Sequence, residues 1–171
     1  MKSIIVVFFI LYLTNLGLAQ ETNGWEFIPW GVEKDSVEKI IAANKNILSD
    51  ANALDADFSY NGMNTWLIYN SKNKLSEVKQ RKTFSVIQQT EAADFYKKLK
   101  SYLVKKYGKP SAYRKNKKDN VIYATWNLQY TNIFMEFDYR YKVIDELGAG
   151  SYWINISFVP VVAASNNSIL K

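Results

Sequence analysis

The sequence predicts an α+β domain: an antiparallel sheet of about six strands with two helices packed on one face, in the order αβββαβββ. Three observations predict it. Two segments, after Gly31 and before Gly108, repeat their apolar residues at helical spacing. Shorter segments alternate apolar with polar residues, as antiparallel strands covered on one side do. Turn residues such as Asn61-Gly62 and Gly148-Ala149-Gly150 separate those segments.

The chain opens with MKSIIVVFFILYLTNLGLAQ, in which one positive charge, Lys2, precedes an apolar run from Ile4 to Leu13. The run ends near Gly17-Leu18-Ala19, small residues at the two positions a signal peptidase inspects. It is shorter than the ~20 residues of a spanning helix, so a cleaved signal peptide over residues 1–19 is expected rather than a membrane anchor. No Cys follows for lipidation. Cleavage removes 19 of the 171 residues and leaves 152, a single domain over residues 20–160 with a loose tail over 161–171. Export then places the mature protein in the periplasm or outside the cell, with no membrane span. Loss of Lys2 lowers the formal charge from +6 to +5. Without Cys, an exported chain must be stable without disulfides. The stabilising material is instead aromatic, with nine Phe, five Trp and twelve Tyr in the whole chain.

In order along the chain, Pro29-Trp30-Gly31 shapes a bend before the first helix. Val37, Ile40, Ile41 and Asn44 form one face of about three turns. Glu33 and Asp35 suit the positive end of the helix dipole, Val32 can staple onto Val37, and Glu33 is a poor cap. Trp30 reads as a core anchor, with ligand stacking as the alternative. Residues 55–60 and 64–69 flank the hairpin turn at Asn61-Gly62, and Asn70 to Asn73 turn the chain into residues 74–84. That third strand is mostly polar, which places it at an edge or with one face in water.

The second helix, residues 88–107, gathers Phe95, Tyr96, Leu99, Tyr102 and Leu103 on one arc. Ser85 with Gln88, or Thr90, can cap its start. Asp94 and Lys98 are spaced for an ion pair, and Gly108 and Pro110 end the helix. Residues 120–129, 132–140 and 151–159 complete the sheet. Ile122, Ala124 and Trp126, then Ile133, Met135 and Phe137, then Tyr152, Ile154, Ile156 and Phe158 form its apolar side.

PWGVEKDSVEKI, the YNSKNKL turn, FYKKLKSYLVKKYGKP and ATWNLQYTNIFMEF together resemble a type of small exported bacterial domain. That type has a Trp-Gly approach to its first helix, a Tyr-Gly-x-Pro helix exit and a Trp-bearing hairpin. More distantly the arrangement is similar to the β-lactamase inhibitor protein and to small outer-membrane assembly lipoproteins. The resemblance implies binding rather than catalysis, although the lipidation Cys of the lipoproteins is absent.

Several enzyme classes lose their chemistry in this composition. With no His and no Cys, the commonest general base, thiol nucleophiles and most zinc sites are missing. Ser-x-x-Lys at Ser36/Lys39, Ser71/Lys74 and Ser76/Lys79 lacks the companion motifs of its enzyme class. Asp55/Asp57 and Glu136/Asp138 are carboxylate pairs along single strands, which suits solubility better than glycoside hydrolysis. No phosphate loop is present, and calcium at Asp55/Asp57 is an alternative that no EF-hand spacing supports, so no metal or cofactor is expected. The expected role is a non-catalytic binding or cell-envelope interaction protein, the alternative a carboxylate-based hydrolase.

One stretch is electrostatically distinctive. From residue 97 to 118 the chain carries Lys97, Lys98, Lys100, Lys105, Lys106, Lys109, Arg114, Lys115, Lys117 and Lys118 with no acid among them. It reads either as a solvated helix face followed by a mobile loop, or as a surface for an anionic partner: an envelope protein, a lipid headgroup or a polyanionic glycan. Export argues against nucleic acid, although Tyr107 and Tyr113 could stack bases.

The leader yields the first prediction. Intact mass of protein purified from the envelope fraction should correspond to a chain beginning at Gln20; a mass retaining residues 1–19 would overturn the cleavage reading.

Overall fold

The computed structural model describes residues 23–50, 55–116, 118, 120–143 and 150–161. The expected leader, the loop before Gly150, Lys117 and the tail beyond residue 161 lie outside these residues.

A small ladder of β1 (Gly24–Trp25) and β2 (Ile28–Pro29) leads into α1 (Lys34–Ala43). Then come β3 (Phe58–Tyr60), β4 (Met63–Tyr69), β5 (Leu75–Ser85) and α2 (Gln89–Tyr107). The chain ends with β6 (Ala112–Asn116), β7 (Val121–Asn127), β8 (Thr131–Val143) and β9 (Gly150–Pro160). Strands β3 to β9 form one sheet in the order β3-β4-β5-β9-β8-β7-β6, every neighbouring pair antiparallel. The α+β class is as expected, with seven strands in this sheet instead of about six. The extra strand is β6, over residues expected to form a loop. Its residues Ala-Tyr-Arg-Lys-Asn show no apolar alternation. It is a strand because the free side of β7 offers its backbone a partner, from Ala112↔Thr125 to Asn116↔Val121.

The bend before α1 docks the chain on the start of β5. Gly31 has φ 74°, and its N–H donates to the Leu75 carbonyl at 3.0 Å while Leu75 N–H donates to Val32 at 2.9 Å. A residue with a Cβ would be strained there. Glu33 caps α1 without a side-chain bond, and Val37 is the helix's buried residue. Trp30 is only half-buried; it packs on the core, and its indole N–H donates to Thr131 Oγ1 at 2.8 Å. The fully buried tryptophans are Trp25 and Trp126. Trp25 is ringed by Tyr60 at 5.3 Å, Phe58 at 6.0 Å, Phe27 at 6.2 Å and Phe158 at 6.3 Å. Helical periodicity cannot reveal such an anchor, because Trp25 lies before the first periodic segment.

Asn61 and Gly62 have φ 51° and 73°, the two positive values a two-residue hairpin turn requires. At the next turn Asn70 Oδ1 accepts the N–H groups of Lys72 at 2.9 Å and Lys74 at 3.2 Å. β5 lies inside the sheet, so its polar side chains mark a half-wet face and not an edge. Val78, Gln80 and Phe84 are buried, whereas Lys79, Arg81 and Thr83 are exposed. Gln88 Oε1 accepts Ser85 N–H at 3.0 Å ahead of α2, and Gly108, φ 81°, closes the helix onto Val104. Ala92, Tyr96, Leu103 and Tyr107 form its buried line. Tyr102 sits at the margin, and Asp94 pairs with Lys97 at 3.1 Å instead of Lys98. Both helices lie on the apolar side of the sheet. No helix among the described residues is long and apolar enough to cross a membrane.

Truncating the central anchor should be costly: Trp25→Ala should lower stability by ~3–5 kcal/mol, and Trp30→Ala by less. Trp25→Phe should be milder than Trp25→Ala, because the buried indole N–H has no hydrogen-bond partner among the described residues. Urea melts compare the three; a Trp30→Ala midpoint as low as that of Trp25→Ala would contradict the assignment.

Candidate binding surface

The structure divides the basic stretch. Lys97, Lys98 and Lys105 stand exposed on α2, and Lys109 is exposed just past its end. Arg114 and Lys115 are adjacent on β6 and therefore point to opposite sides of the sheet. Lys115 lies opposite Ile122 on the helix side, and Arg114 lies opposite Tyr123 on the bare side. Lys118 is exposed in the turn to β7, where its N–H donates to Asn116 Oδ1 at 3.1 Å.

Lys106 is a correction to the expected surface, because it is tied into the fold. Its Nζ lies 2.5 Å from Glu26 Oε2, both side chains mostly buried, and 3.3 Å from the Tyr102 hydroxyl. Tyr102 itself donates to Glu26 Oε1 at 3.2 Å. This cluster fastens α2 to the β1–β2 turn, where Glu26 has φ 51°. Burial by itself lowers the Lys106 pKa, but the hydrogen bond to Glu26 and neighbouring negative charge outweigh it, and the net direction is upward. Burial pushes the phenols of Tyr60, Tyr102 and Tyr107 up to about 12, with the Glu26 carboxylate adding to the effect.

Three of the other cations, Lys97, Lys100 and Lys105, lie with apolar side chains along one flank of α2. Tyr96, Lys100 and Val104 recur every four residues, with Lys97, Ser101 and Lys105 one position on. Together they line an open groove of about 490 Å³. Tyr96 is buried and stacks on Phe137 at 5.0 Å, and Val104 is half-buried, so the floor is apolar and the rim carries three ammonium groups. Lys100 reaches toward β6, its Nζ 3.9 Å over the ring of Tyr113. The i, i+4, i+8 stripe from Tyr96 was visible in the sequence; its position beside a β6 strand was not.

The side of the sheet without helices carries a cross-strand row of Asn64, Arg81, Asn155, Glu136, Tyr123 and Arg114. Arg81 Nε donates to Asn155 Oδ1 at 2.8 Å, and its guanidinium lies 5.6 Å from the Trp153 ring. Asp55, Asp57 and Glu136 border a depression of about 650 Å³ here. Asp57 Oδ2 accepts the Leu67 N–H at 2.6 Å, a structural use of the carboxylate. The backbones of β3, next to Asp57, and of β8, which carries Glu136, are four strand spacings apart, about 19 Å. Glycoside hydrolysis needs about 5–9.5 Å between carboxyl groups. Asp138 is buried, 2 % exposed, rather than solvated as its place beside Glu136 suggested.

The tyrosine shifts make a signed prediction. Folded phenols keep their protons to about pH 12, while unfolded ones release them near 10. Above pH 10 the unfolded chain therefore binds fewer protons than the folded one, and stability falls with rising pH. The raised Lys106 pKa acts in the same sense. Urea midpoints should drop between pH 10 and 12, and Glu26→Gln should shrink that drop while costing ~1–3 kcal/mol at neutral pH. A wild-type midpoint flat to pH 12 would overturn this account.

Comparison with known proteins places the chain in no group: no protein-family model, no curated protein and no solved structure matches it.

Proposed function

We propose that this protein is an exported, non-catalytic binding module of the cell envelope that takes an anionic partner on the α2–β6 side of its domain. One observation carries the reading. Lys97, Lys100 and Lys105 rim a single open groove with an apolar floor, and Lys115 projects from β6 on the same side of the sheet. Lys106 takes no part in the surface, because Glu26 holds it.

Three further features support the reading. The leader pattern suits an exported chain. The lack of His removes the usual acid–base chemistry. The wide spacing between β3, next to Asp57, and β8, which carries Glu136, weakens the hydrolase alternative. Many weak cationic contacts sum to a salt-sensitive affinity, since screening acts over ~10 Å at 0.1 M salt.

The test compares two charge-reversal sets of equal size. Lys97→Glu, Lys105→Glu and Lys115→Glu together should abolish retention on heparin resin and on phosphatidylglycerol vesicles. Lys39→Glu, Lys45→Glu and Lys72→Glu, all exposed elsewhere, should retain most of it. Exposed changes of this kind should leave folding intact, within ~0.5 kcal/mol each. Equal loss in both sets would mean that only net charge matters, and the reading would fall.

A further inference from the structure

We infer that the partner is an extended acidic polypeptide that adds as a strand to the outer edge of β6 and lays alternate side chains beside the basic groove of α2. The inference rests on the anion-binding reading above and names the partner chemistry. Three independent observations lead to it.

The first is the edge. Of the two ends of the large sheet, β3 is already occupied: Ser49 exchanges backbone bonds with Ser59 at 3.0 and 2.8 Å. β6 pairs with β7 on one side, and among the described residues no strand pairs with the other. Ala112, Tyr113, Arg114 and Lys115 are all exposed. An open edge presents main-chain donors and acceptors that another extended main chain can match. Lipid headgroups and glycans carry no such repeating pattern.

The second is the groove. Lys100 sits over Tyr113, so the depression along α2 opens beside β6. A strand added ~4.8 Å outside β6 would send every second side chain to the helix side. There it would meet Tyr113, Lys115 and the rim lysines.

The third is charge. Arg114 covers the bare side of the edge and Lys115 the helix side, so both faces of an added strand meet a cation. Pairing β6 with the β6 of a second copy would set these cations beside their own kind, which opposes self-association. The same cations that keep the edge from aggregating admit an acidic strand.

Fluorescence anisotropy with a short labelled peptide of alternating Asp and Val tests this on the purified chain. Two analogues carry N-methyl groups on alternate amides, one in each phase, at unchanged charge. In one phase the methyl groups meet β6, and binding should weaken at least about tenfold; in the other they face solvent, and binding should be kept. The double variant Arg114→Glu/Lys115→Glu should lose the Asp/Val peptide and gain a Lys/Val peptide. If both analogues bind alike, whether strongly or weakly, strand addition is overturned. If no peptide binds while heparin retention persists, the polypeptide partner is overturned and the anion-binding module stands. If heparin retention is missing as well, the module reading falls with it.

Discussion

The pairing of β5 with β9 runs from Val78↔Phe158 to Ser85↔Ser151, and it is the constraint on which the remaining structure depends. It joins two meanders that α2 links along the chain. On one face it sets Val78 and Phe84 against Phe158 and Tyr152, the surface on which α2 packs. On the other it sets Arg81 against Asn155. Because the last strand of each meander takes the centre, the first strands, β3 and β6, are sent to the two edges. No disulfide can hold the meanders together, since the chain has no Cys. Their union rests on the backbone ladder and on buried aromatic and aliphatic surface.

Long-range polar contacts complete the closure from the amino-terminal side. Trp30 reaches Thr131 at the start of β8, and Glu26 reaches Lys106 on α2. Both start from the short β1–β2 region, whose Trp25 sits in a cage of four aromatic rings. A segment with almost no regular structure is thereby fixed against two distant elements. The dense aromatic composition acts here, at the junction of ladder, hairpin and β9, in addition to the helix–sheet interface.

Lysines one to nine residues apart on α2 have different physical fates. Lys106 faces the β1–β2 turn and finds a carboxylate, so its charge stabilises the fold. Lys97, Lys100 and Lys105 face the flank toward β6, where an apolar floor surrounds them and the described residues offer acids sparingly, Asp94 at Lys97 being one. Charge count alone describes both sets identically. Only the rotation of the helix on the sheet separates a structural cation from a surface one.

Local signals in the sequence by themselves determined the α+β class, both helices, the hairpin at Asn61-Gly62, the helix stop at Gly108 and the inward faces of β7, β8 and β9. Each depends on spacing within one segment, or on a backbone conformation that a single residue such as Gly or Asn selects. The tertiary structure alone decided the central position of β5, the existence of β6, the preference for Trp25 over Trp30 as core anchor, and the capture of Lys106 by Glu26. In each of these the partner lies in a distant segment. A strand like β6, without alternation of its own, forms only when β7 supplies hydrogen-bond partners. A lysine's role likewise depends on which surface the packed helix turns it toward. Period and turn chemistry are written residue by residue, whereas pairing across the sheet is set by which buried surfaces fit together once the chain has closed.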